Sequence, residues 1–111
     1  MKVLIKNGVT IKEVNARFFH VCISAFWVWE KYGQIPVITD GWRNDPASLH
    51  SKHLAWDLRI WGLPDPKAAA DELREVLNIK HYDYDVVYGD AKHLDHVHVE
   101  FDPKEVEMRA K

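Results

Sequence analysis

Two histidine-rich segments, forty residues apart, must meet in any fold that uses them together. The first is Ser48-Leu49-His50-Ser51-Lys52-His53-Leu54-Ala55-Trp56-Asp57 and the second is His93-Leu94-Asp95-His96-Val97-His98. They hold His50, His53, His93, His96 and His98, five of the seven histidines. His50 and Asp57 form an H-x6-D pair, and Asp95 and His98 a D-x-x-H pair. Two imidazoles and a carboxylate are a sufficient protein ligand set for a catalytic zinc, which keeps a fourth position open. Asp95 then remains as a candidate general base.

The second segment runs into an alternating stretch. Val97, Val99 and Phe101 form one set, and His96, His98 and Glu100 the other, which reads as a strand over 96–101 with its histidines facing away from the core. Leu54 to Trp61 alternates likewise: Leu54, Trp56, Leu58 and Ile60 on one face, Ala55, Asp57 and Arg59 on the other. Asp57 and His98 therefore belong on the same open sheet face, with His50 on the loop entering one of the strands.

The remaining elements supply the scaffold. Residues 2–6 read as a short edge strand, followed by an Asn7-Gly8 turn. Thr10 and Glu13 have capping-box spacing. From Ile11 to Tyr32, apolar residues recur at helical intervals, Phe19, Cys22, Phe26 and Trp29 widen the stripe so that burial on more than one side is expected, and Gly33 closes the helix. Pro36 to Trp42 reads as a strand, and Arg43 to Ser51 as a polar loop containing Asn44-Asp45-Pro46. Asp65 and Pro66 open a second helix that continues to Asn78. Tyr84 to Tyr88 is a further strand, Gly89 to Leu94 a loop, and Pro103 to Lys111 a charged tail with a helical turn or two. The expected class is α+β, a largely antiparallel sheet with a long N-terminal helix on one face. Residues 1–111 are read as one domain.

Composition removes several functional classes. The net charge of -2 gives no basic field for nucleic acid. Cys22 is the only cysteine, so there is no internal disulfide and no thiolate zinc knuckle. The most apolar run, Phe18 to Trp29, is shorter than the roughly 20 residues of a membrane span. Neither a signal peptide nor a membrane partner is expected, so synthesis is expected to be cytoplasmic, and a monomer is expected. The five tryptophans suit either a core or a cleft lining. Trp42 and Trp56 lie near enough to the histidine segments for both, and His20 and His81 read as structural.

The two motifs together resemble the zinc D-Ala-D-Ala carboxypeptidases and L-Ala–D-Glu endopeptidases of peptidoglycan, which share the hedgehog-like DD-peptidase fold. Ser48, His50, Ala55 and Asp57 match the family's S-x-H-x-x-G-x-A-x-D in spacing, and Asp95, His96 and His98 match its D-H-x-H. Thr39-Asp40-Gly41-Trp42-Arg43 occupies the place of T-S-G-x-R in small phage members, with Asp40 for the usual serine. The resemblance covers residues 36–102. It implies zinc on His50, Asp57 and His98, Asp95 as the base that takes a proton from the attacking water, and His93 stabilising the tetrahedral intermediate. It further implies Arg43, Ser48 and His96 at the substrate, a peptidoglycan stem peptide, and a wall-degrading role such as phage lysis after release from the cell. His53 stands where the motif has glycine, and is read as a replacement rather than a fourth ligand.

One other class remains open beside the hydrolase, and a second is rejected. A domain of the same fold that binds zinc but hydrolyses nothing would serve as a cell-wall-binding or phage structural module; Asp95 speaks against it and His53 for it. His96-Val97-His98 alone also suits metal-dependent DNA-nicking enzymes, but no tyrosine follows Tyr88 and the chain is not basic.

Overall fold

A computed structural model of the chain describes residues 1–80 and 83–103. His81 and most of the charged tail, from residue 104, lie outside the described residues. The elements in chain order are β1 (Leu4–Ile5), α1 (Ala16–Glu30), β2 (Val37–Asp40), a 3-10 turn (Leu49–Lys52), β3 (Ala55–Arg59), α2 (Pro66–Leu77), β4 (Tyr84–Val87) and β5 (His96–Phe101). The class is α+β. The five strands form one mixed sheet in the order β1-β2-β3-β5-β4. Only the β1–β2 pairing is parallel; β2–β3, β3–β5 and β5–β4 are antiparallel.

Alternation along the strands sorts the side chains. Trp56 and Leu58 of β3, Val97, Val99 and Phe101 of β5, and Tyr84 and Val86 of β4 are buried in one cluster with the inner faces of both helices. Phe18 of α1 lies against Trp56 with ring centroids 5.5 Å apart. Each large apolar side chain buried in this way contributes about 1.5–3 kcal/mol. The opposite sheet face carries Asp57, Arg59, His96, His98 and Glu100 together with Ala55 and Val87, and the register places them in rows. Asp57 is directly opposite His98, and Arg59 opposite His96.

The second helix follows the sequence reading closely. Asp65 is its N-cap, accepting from Ala68 N–H at 3.1 Å, with Pro66 at the first helical position. Ala69, Ala70, Leu73 and Leu77 face the core. At the end of α1, Gln34 N–H reaches Trp29 O at 3.1 Å and Gly33 N–H reaches Glu30 O at 3.0 Å. Gly33, with φ 71°, supplies the left-handed residue this termination needs.

The first helix differs from expectation at its start. Its N-cap is Asn15, whose side chain accepts from Phe18 N–H at 2.8 Å, not Thr10. Thr10 forms an isolated antiparallel bridge with Trp42, with Trp42 N–H donating to Thr10 O at 2.7 Å. Thr10 is thus held against the loop after β2, and the helix begins only at Ala16. The burial of α1 also differs. Phe18, Val21, Cys22, Ala25, Val28 and Trp29 are buried, whereas Phe19, Ile23 and Trp27 are exposed at i, i+4 and i+8. The helix is buried along one stripe, not on several sides.

Among the described residues, no helix is long and apolar enough to cross a membrane.

Candidate metal centre and cleft

The turn before β3 is shaped to present His50. Ser48 caps it, its Oγ accepting from His50 N–H at 3.1 Å. The turn ends on His53, the only non-glycine residue with positive φ among the described residues (φ 60°, ψ 30°). This left-handed conformation explains why glycine suits the position: an L side chain there costs about 1–2 kcal/mol. The His53 ring does not join the other histidines. Its Nε2 lies 3.8 Å from Glu13 Oε2, and its carbonyl accepts from Asn15 Nδ2 at 3.0 Å. His53→Gly should therefore leave zinc affinity unchanged and hold or raise stability, by up to about 1 kcal/mol once the added freedom of unfolded glycine is counted. Paired thermal melts and zinc titrations check this; a tenfold fall in zinc affinity would make His53 a metal contact.

His50 is wholly buried, at 0% exposure. Its Nδ1–H donates to the Gly41 carbonyl at 2.7 Å, which fixes the tautomer and leaves the Nε2 lone pair pointing inward. Gly41 is itself packed against the Thr10–Ile11 segment, where a Cβ would meet the Ile11 side chain and stand 2.7 Å from Thr10 O. His50 Nε2 has no hydrogen-bond partner, alone among buried side-chain polar atoms of the described residues. It faces Asp57 Oδ1 at 3.6 Å, beyond hydrogen-bond range. A buried lone pair aimed at a carboxylate is unfavourable unless a cation lies between them.

His98 completes the cluster from β5. Its Nδ1 is 2.9 Å from Asp57 Oδ1 and its Nε2 is 2.8 Å from Glu100 Oε1. The donor atoms of His50, Asp57 and His98 all lie within 4.8 Å of one another, so the three residues can hold a metal ion. Glu100 then keeps the Nε2–H of His98, the carboxylate partner that commonly orients a metal-binding imidazole. Glu100 is thereby engaged with His98 and is not among the residues that line the cleft at Asp57.

Burial by itself would raise the Asp57 carboxyl; the imidazoles of His50 and His98, with His96 beyond, outweigh it and hold Asp57 far below the ordinary carboxylate range. For His98, burial favours the neutral ring, but the Asp57 and Glu100 carboxylates prevail and raise its pKa above the usual 6.5. The sign follows. In the metal-free chain, His98 contributes stability below its unfolded pKa of about 6.5, and this is lost as pH rises through the raised folded value. A metal must displace the same proton, so affinity should fall about tenfold per pH unit below that value. The gap between melting temperatures with zinc and with a chelator should therefore widen as pH rises through the raised His98 value. A constant gap would contradict displacement of a proton.

The other candidates are unequally placed. His96 Nε2 is 3.6 Å from Asp57 Oδ2, and its Nδ1–H donates to Asp95 Oδ1 at 2.6 Å. That hydrogen bond, with the charge of His96, lowers the Asp95 pKa. Asp95 has a side chain 91% exposed and lines the same cleft as Asp57. The ring of His93 stands 5.2 Å from that of His98, its Nδ1–H given to Asp90 Oδ1 at 2.6 Å. Arg43 is paired with Asp40 at 2.9 Å and does not line the cleft. Ser48 spends its hydroxyl oxygen on the His50 backbone. Trp56 is core, while Trp42 donates its indole N–H to Ser51 O at 3.2 Å, bracing the turn.

A cleft of about 340 Å³ reaches the centre at Asp57, the one of the three ligands that lines it, together with Lys6, Thr39, Asp40, Arg59, Trp61, Asp95 and His96. Lys6, Arg59 and Trp61 were not picked out from the sequence; the period-two pattern did put Arg59 on the face of Asp57. A hollow of about 380 Å³ elsewhere, lined by Arg17, His20, Leu77, Tyr84 and Phe101 among others, includes none of the three converging ligands. Set against family models, curated proteins and solved structures, the chain matches none of them.

Proposed function

We propose that the chain is a zinc-dependent hydrolase of an amide bond in peptidoglycan stem peptides, with a hedgehog-like DD-peptidase fold. The observation that carries the reading is the unpartnered Nε2 of His50, buried and aimed at Asp57 beside His98 Nδ1. Nitrogen and oxygen donors converging from three separate segments suit zinc. His50, Asp57 and His98 would hold the ion, with Gly41 O and Glu100 steadying the two rings. A bound zinc supplies a polarised carbonyl and an acidified water.

The residues around it divide the remaining work. Asp95, ionised at neutral pH and exposed at the cleft, takes the proton of the attacking water and returns it to the leaving amine. His96 orients that carboxylate through its Nδ1–H. His93, next to the His96 and His98 rings, would stabilise a developing oxyanion, which needs a proton on Nε2 besides the Nδ1–H given to Asp90.

The test is digestion of purified peptidoglycan by the zinc-loaded chain, with fragments identified by mass spectrometry. New amino groups at a single stem-peptide bond are expected, and their masses separate D-Ala-D-Ala carboxypeptidase from L-Ala–D-Glu endopeptidase cleavage. Tight zinc binding with no fragments would instead identify a wall-binding or structural module.

A further inference from the structure

The cleft has two faces of opposite character. Its acidic groups are all engaged: Asp40 with Arg43, Asp57 with His98, and Asp95 with His96. Its two cations are not. Among the described residues, neither Lys6 nor Arg59 forms an ion pair, although both line the cleft. Arg59 is next to Asp57 on the same face of β3, and its backbone carbonyl is held by the Trp29 indole N–H at 3.3 Å. Its guanidinium carbon lies 3.8 Å from the Trp61 ring centroid. Trp61 is 71% exposed, so the core does not account for its position. Stacked on an aromatic face, a guanidinium is restrained while its N–H fork stays free for a planar, two-oxygen acceptor.

We infer that Arg59, backed by Trp61 and assisted by Lys6, is a subsite for an α-carboxylate of the substrate; this rests on the hydrolase reading for which bond is cut, but not for carboxylate binding. Lys6 follows β1, tied to β2 by its N–H to Ile38 O at 2.9 Å, and so approaches from the sheet edge. The substrate class is a peptide carrying a carboxylate close to the scissile amide. In a stem peptide this is either the terminal D-Ala carboxylate or the free α-carboxylate of γ-linked D-Glu.

The experiment is an NMR titration of the zinc-loaded protein, following the Trp61 indole N–H and the Arg59 Nε–H. The probes are N-acetyl-D-alanine, N-acetyl-D-glutamine and, as the uncharged control, N-acetyl-D-alanine amide. Saturable shifts with at least one acid are expected, with the amide about tenfold weaker or more, the scale of a charge-assisted pair. The tighter acid identifies the carboxylate source. Arg59→Gln should reduce acid binding to the level of the amide while keeping the same zinc stoichiometry and fold. Lys6→Gln, at an exposed edge, should weaken it less. Equal binding of acid and amide, no saturable binding of either acid, or undiminished binding by Arg59→Gln overturns the subsite. Carboxylate binding through Arg59 without fragments from peptidoglycan keeps the subsite and removes the hydrolase reading; fragments with no acid preference do the reverse.

Discussion

Asp95→Asn should lose about 100-fold or more in turnover on peptidoglycan stems while retaining zinc and fold. The expectation comes from placement. Asp95 is exposed, lines the cleft beside Asp57, and lies outside the three-residue ligand cluster. Its loss therefore removes neither a metal contact nor a buried group. The asparagine carbonyl can still accept from His96 Nδ1–H, so the local geometry survives and only proton transfer is lost. Zinc content, melting temperature and rate must be taken on one preparation, so that damage to structure is not mistaken for lost chemistry. A variant as fast as the parent would show that Asp95 is not the base, and the free ring nitrogen of His93 would be the next group to examine.

His98→Ala has the other large effect, on the metal and on stability together. The substitution removes one of three donors and leaves Asp57 and Glu100 without the imidazole between them. Removing one partner of a buried ionic pair typically costs about 3–5 kcal/mol, and the stabilisation linked to bound zinc goes with it. Zinc affinity should fall by more than the roughly 10–100-fold typical of an outer carboxylate partner. Glu100→Gln is the graded control: it keeps all three donors and weakens only the orientation of His98, so its loss should fall within that lower range. Competitive zinc titration and thermal melts of the two variants separate a ligand from its support. Full zinc occupancy in His98→Ala would remove His98 from the centre.

The features legible in the sequence are those set by local chemistry. Asp65 and Pro66 announce α2 because a cap and a fixed φ act within one turn. The alternation of β5 puts Val97, Val99 and Phe101 inward whatever its neighbours are, so His96 and His98 had to face outward. The convergence of His50, Asp57 and His98 followed from two strands sharing an open face. The parts that were not legible depend on contacts distant in sequence. Thr10 and Glu13 have the residues of a helix start, but Thr10 is bridged to Trp42 and the helix is capped by Asn15. The apolar character of Phe19, Ile23 and Trp27 widened the apparent buried stripe, yet no described element covers that side of α1. Arg43 was expected at the substrate from its place in the order of motifs, and in the fold it pairs with Asp40, the residue that replaces the motif serine. Arg59 carried no motif, and only the register opposite His96 and the proximity of Trp61 reveal its place in the cleft. His53 shows the converse: the sequence marked the glycine position as a departure, and the backbone angle gives its physical meaning.

The central claim is that His50, Asp57 and His98 form a zinc centre, and a competitive zinc titration of the unmodified chain at neutral pH tests it most directly. One zinc per chain is expected, with the His50 and His98 ring resonances shifted on binding. No binding, or binding that leaves the His50 and His98 ring resonances unmoved, would contradict it.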